Sequence, residues 1–132
     1  MQMIDYKGWK SIRLANRQVE LIVTRDVGPR VIRFGFIGGP NIFAELEGHI
    51  GGRGESEWMN RGGHRLWIAP EAAPWSYELD NEPYAVAEAI PNGVRTVQAP
   101  GPLTGLEKQM EITLDPERNV VTIRHTLTNR RA

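Results

Sequence analysis

Between Gly105 and Thr128 the chain alternates apolar and polar residues, and this period of two constrains the fold more than any other feature. Leu106, Met110, Ile112 and Leu114 fall on one face of an extended segment, and Glu107, Gln109, Glu111 and Thr113 on the other. Asp115-Pro116-Glu117-Arg118-Asn119 has turn chemistry, and Val120 to Thr128 runs back with Val121, Ile123, His125 and Leu127 opposed to Thr122, Arg124, Thr126 and Thr128. A period of two with a turn between the runs describes antiparallel strands with one apolar and one polar face. His125, in phase with three apolar residues, reads as a core histidine satisfied by a hydrogen bond.

The same grammar runs through the rest of the chain. Trp9 to Ala15 reads as a strand, Asn16-Arg17 as a hairpin turn, and Gln18 to Thr24 as a second strand with Val19, Leu21 and Val23 aligned. After Asp26-Val27-Gly28-Pro29, a third strand runs from Arg30 to Ile37 with Ile32, Phe34 and Phe36 on one face. Gly38-Gly39-Pro40-Asn41 is a turn, and Ile42-Phe43-Ala44 a short further strand. Tyr84 to Ile90 and Val94 to Ala99 flank the turn Pro91-Asn92-Gly93. No stretch carries an apolar stripe of helical period, and 14 glycines and 9 prolines supply the breaks that many short strands need. The expectation is one all-β domain over residues 1–132, an antiparallel β-sandwich.

Sixteen basic residues balance sixteen acidic ones, without a basic block, so nothing electrostatic argues for nucleic acid or an anionic membrane as partner. The absence of cysteine excludes a disulfide framework, a thiolate nucleophile and a cysteine-ligated metal. Three histidines without metal-ligand spacing give no reason to expect a metal, and nothing calls for a cofactor. Met1 to Tyr6 lacks the basic-then-apolar pattern of a signal peptide, so a cytoplasmic location is expected.

Two segments break the pattern. Glu45 to Arg61 is rich in glycine and charge and includes Trp58-Met59; a loop of this length is functional or mobile as a rule. Asn60-Arg61-Gly62-Gly63-His64-Arg65-Leu66-Trp67-Ile68-Ala69-Pro70-Glu71 then places a histidine, an arginine, a tryptophan and a carboxylate behind a glycine pair. As a strand stopped by Pro70, it puts His64, Leu66 and Ile68 on one face and Arg65, Trp67 and Ala69 on the other. Two readings stand. Trp67 is core and Arg65 reaches out to water, or the two grip a ligand that has both polar and apolar sides.

Three stretches together resemble the galactose-mutarotase-like superfamily, in particular its aldose-epimerase-like branch. They are Val19 to Gly35 followed by Pro40-Asn41-Ile42-Phe43-Ala44-Glu45, then Gly63 to Glu71, and finally Arg124-His125-Thr126-Leu127-Thr128-Asn129. The resemblance implies half of a β-supersandwich, with this chain as the N-terminal portion of a longer fold. It also implies carbohydrate binding and interconversion of sugar anomers by a carboxylate base and a histidine acid.

On that reading His64 and Glu71 are the candidate catalytic pair. Arg65, Trp67, Trp75, Arg33 and Arg124 are the candidate sugar-binding residues, with the ligand expected against the polar sheet face. A non-catalytic carbohydrate-binding or structural sandwich is the alternative. His64 equally reads as a strand-start histidine bonded to backbone, and Glu71 as a solvated loop residue. A half-sandwich leaves an apolar face and an open edge, so the expected partners are a sugar and either a second copy of the chain or a C-terminal half.

Overall fold

Among the described residues, eight antiparallel strands form two sheets, each a simple meander in chain order. The structure, a computed structural model, describes residues 1–131, and Ala132, the last residue of the expected domain, lies outside the described residues. The first sheet contains β1 (Gln2–Tyr6), β2 (Trp9–Ala15), β3 (Val19–Thr24) and β4 (Val31–Phe36). The second contains β5 (Val86–Ile90), β6 (Gly93–Gln98), β7 (Leu106–Leu114) and β8 (Val121–Asn129). The one helical element among the described residues is a 3-10 turn at Trp75–Tyr77. The all-β expectation therefore holds.

Turn chemistry explains the hairpins. Asn16 Oδ1 accepts from the backbone N–H of Gln18 and Val19, which closes the β2–β3 turn, while its Nδ2 donates to the carbonyls of Asp115 and Arg118. One side chain thus ties a turn of the first sheet to a turn of the second. β1 is absent from the sequence reading, although its signal, Lys7-Gly8, was present. Both residues have positive φ (51° and 98°), and they join β1 to β2 in full register from Gln2↔Arg13 to Tyr6↔Trp9.

The sheets meet in one core. Ile12, Leu14, Val19, Leu21, Val23 and Val31 of the first sheet pack with Val94, Met110, Ile112 and Leu114 of the second. Each such side chain contributes roughly 1.5–3 kcal/mol by leaving water. The first sheet is also covered on its far face, where Trp9, Ile22, Val27 and Ile32 pack with Ile4, Tyr6 and Ile50. Ile50 belongs to the glycine-rich segment, which is pinned: Trp9 Nε1 donates to the Gly52 carbonyl at 2.8 Å, and the buried Arg61 bonds the His49 carbonyl, Glu55 and Asn81. The segment therefore acts as the cover of a sheet.

Three expectations for local structure are corrected. Ile32 does not align with Phe34, because the register slips between Ile22↔Arg33 and Val23↔Val31; this bulge sends Ile32 to the outer cluster while Val31 and Phe34 face the inner one. Ile42-Phe43-Ala44 is not a strand; Asn41 instead turns the chain by bonding the N–H groups of Phe34 and Phe43. The stretch from His64 to Ile68 is not a strand either. It touches the sheet at one bridge, Val31↔His64, and Gly62 makes another with Glu45.

Candidate functional site

The glycine pair sets the geometry. Gly62 and Gly63 have φ of 76° and 73°, and a Cβ on either would stand 2.1 Å from the Ala44 carbonyl oxygen or 2.5 Å from that of Val31. Only glycine permits this approach. Behind it, the His64 N–H donates to the Val31 carbonyl and the His64 carbonyl accepts from the Val31 N–H, each at 2.9 Å. The chain then leaves the sheet, since left-handed residues on one side and Pro70 on the other deny it a continuous ladder.

Beyond the bridge, three aromatic rings cluster around a cation. The Arg65 guanidinium carbon lies 4.3 Å from the Trp67 ring centre and 5.1 Å from that of Trp58. The two indoles stack at 6.4 Å, with the Tyr77 ring edge-on to both. Trp67 is 40% exposed, so it is not the core residue that the blander reading expects. Its Nε1 donates to the Ser76 carbonyl at 2.5 Å, and the Tyr77 hydroxyl donates to the exposed Glu71. Arg65 has no hydrogen-bonding or ion-pair partner among the described residues. Burial first, and then the charge of Arg30, hold its pKa below the ordinary guanidinium value.

Arg65 also lines a small polar cavity of about 10 Å³ between the sheets, with Leu66, Glu78, Asp80, Gln98, Lys108 and Met110. Asp80 Oδ2 is bonded by Arg30 at 3.1 Å in a pair almost wholly buried, and Arg30 also donates to the Gly62 carbonyl at 2.9 Å. Asp80 Oδ1 is buried without a partner. Lys108 likewise has no partner among the described residues; burial, then Arg65, pull its pKa down from the usual ammonium value. On the far side of Asp80 and Gln98 lies an open cleft of about 340 Å³, lined also by Glu55, Asn81 and Tyr84.

His64 meets His125 across the end of the sandwich, with Nε2 to Nε2 at 2.8 Å. The expectation that His125 is a core residue is overturned: it is exposed. It does share the inner face with Met110, its register partner, but β8 is the edge strand of its sheet. At this distance one ring donates an N–H to the lone pair of the other, so a second proton is disfavoured. Burial and the charge of His125 together lower the His64 pKa.

The remaining residues singled out in the sequence do not converge on one point. Trp75 is exposed in the 3-10 turn and has no ring contact with the cluster among the described residues. Glu71 reaches the cluster through Tyr77, and no hydrogen bond joins it to His64. Arg33 lies on the outer face of the first sheet, where it pairs with Glu20 at 2.9 Å and donates to the carbonyls of Phe36 and Gly39. Arg124 is exposed on the outer face of the second sheet, opposite Glu111. The polar face of β7 and β8 and the His64-Arg65 stretch thus lie on opposite sides of that sheet, so the polar face and these candidate residues, expected together, do not meet.

Sequence reasoning passed over Asp80, and it passed over Lys108 despite a clear signal. Lys108 sits in phase with Leu106, Met110, Ile112 and Leu114, a lysine on an apolar face. Comparison with protein-family models, with curated proteins and with solved structures finds no match to this chain.

Proposed function

We propose that the protein binds a carbohydrate on the surface formed by Arg65, Trp67, Trp58 and Tyr77, and that it interconverts sugar anomers as galactose-mutarotase-like proteins do. One observation carries this reading: a half-buried guanidinium lies against two indole rings and has none of its donors engaged by the described residues. Aromatic faces accept the C–H face of a sugar ring, and fixed donors without partners select its hydroxyls.

Anomer exchange needs a base to take the proton of the anomeric hydroxyl while an acid protonates the ring oxygen. The bond from the anomeric carbon to the ring oxygen then breaks, and reclosure on the other face reverses the proton transfers. His64, with His125 as its proton-sharing neighbour, is the group for the ring oxygen, and Glu71 is the carboxylate for the hydroxyl. Non-catalytic binding is the second reading, favoured by the engagement of Glu71 with Tyr77 and its lack of a bond to His64.

The test is a tryptophan-fluorescence titration with glucose and galactose, run beside an NMR measurement of anomer exchange. Binding that weakens in Arg65→Ala, with exchange lost in Glu71→Gln, is the expected result. Binding without exchange leaves the second reading, and no response to any sugar removes both.

A further inference from the structure

Resting on the carbohydrate reading, we propose that the sugar is an anionic one, whose oxyanion is held by Arg65 and Lys108 at the cavity between the sheets. Two cations line this cavity with no acceptor among the described residues. Burying a cation is costly unless something compensates it; here the indoles flank Arg65, and Asp80 and Glu78 act on Lys108 only through space, so neither cation has a hydrogen-bonded counter-charge.

The neighbouring carboxylates are committed in part. Glu78 accepts from the N–H groups of Leu103 and Thr104 at 3.0 and 3.2 Å, and from the Thr104 hydroxyl. Asp80 gives its Oδ2 to Arg30. Counting Arg30, Arg65 and Lys108 against Glu78 and Asp80, the group carries one positive charge more than negative, at a half-buried site.

The shape of the site narrows the ligand further. A space of about 10 Å³ admits roughly one water-sized group, so an oxygen of the ligand enters while its ring stays outside, beside the indoles that flank Arg65. Asp80 lines the same cavity, and its Oδ1 is buried and unpartnered. An oxyanion carried on a sugar ring is the chemistry of a uronate or of a sugar phosphate. A neutral hexose offers only hydroxyls.

The experiment is a fluorescence titration of the unmodified protein with glucuronate, glucose 6-phosphate and glucose, repeated on Lys108→Met and Lys108→Arg after a thermal melt of each. At least one charged sugar should bind roughly tenfold more tightly than glucose, as expected for a hydrogen bond to a charged group. That preference should vanish in Lys108→Met and persist in Lys108→Arg. Preference for glucuronate alone identifies a carboxylate, and for glucose 6-phosphate alone a phosphate. Should Lys108→Met not fold, rising salt must weaken the charged sugar and spare glucose in the unmodified protein. Glucose binding as tightly as both charged sugars overturns this proposal and leaves the carbohydrate reading in place. Silence with all three overturns the carbohydrate reading itself.

Discussion

His64 and His125, 61 positions apart in sequence, face one another Nε2 to Nε2 at 2.8 Å, and so link the irregular central stretch to the edge strand β8. The His64 pKa is lowered from 6.5, chiefly by burial and then by His125. A histidine whose folded pKa lies below its unfolded one adds stability above the unfolded value. That stability is lost as pH falls from about 6.5 toward the folded pKa. The melting temperature should therefore drop between pH 7 and pH 5.5, a window in which ordinary carboxylates stay ionised, and His64→Gln should flatten the slope. Parallel melting profiles for the two proteins would contradict the assignment.

The buried pair Arg30–Asp80 holds the glycine pair and the cavity wall together. Asp80→Ala leaves a guanidinium buried without its charge partner, which should cost about 3–5 kcal/mol in urea unfolding. Arg30→Met combined with Asp80→Ala should recover part of that loss, because the uncompensated charge is gone. A loss under about 1 kcal/mol in the single variant would mean that water already reaches the pair.

Gly63 and Gly38 share a positive φ, 73° and 79°, yet only Gly63 faces a wall, the Val31 carbonyl; nothing stands within 4 Å of a Cβ at Gly38. Gly38→Ala should cost about 1–2 kcal/mol for its conformation alone. Gly63→Ala should cost more and also disturb sugar binding, since it pushes apart the Val31–His64 bridge. Equal melting temperatures for the two variants would refute this steric reading.

The two stacked tryptophans should respond oppositely to loss of the indole N–H. Trp67 Nε1 donates to the Ser76 carbonyl, so Trp67→Phe should lose about 1 kcal/mol. Trp58 Nε1 is buried without a partner, so Trp58→Phe removes an unsatisfied donor and should leave stability unchanged or raised. Denaturation of both variants checks the contrast.

Much of this protein is legible in its residues alone. Alternation in Leu106–Leu114 and Val121–Leu127, broken only at Lys108 and His125, with turn residues at Asn16 and Pro91-Asn92, determines antiparallel strands and their inward faces, because a strand presents successive side chains to opposite sides. The glycine pair before His64 likewise marks a close backbone approach. Tertiary structure decided the rest. Alternation does not reveal which strand will lie at the edge of its sheet, so His125 looked like core and is exposed. The bulge at Ile32 turns on the pairing of β3 with β4 and leaves no mark on local pattern. Which of several arginines lacks a partner depends on what the fold brings near each one: Glu20 reaches Arg33, Asp80 reaches Arg30, and Arg65 meets only rings. Those pairings join residues distant in the chain, and side-chain order along a sequence carries no distance between them.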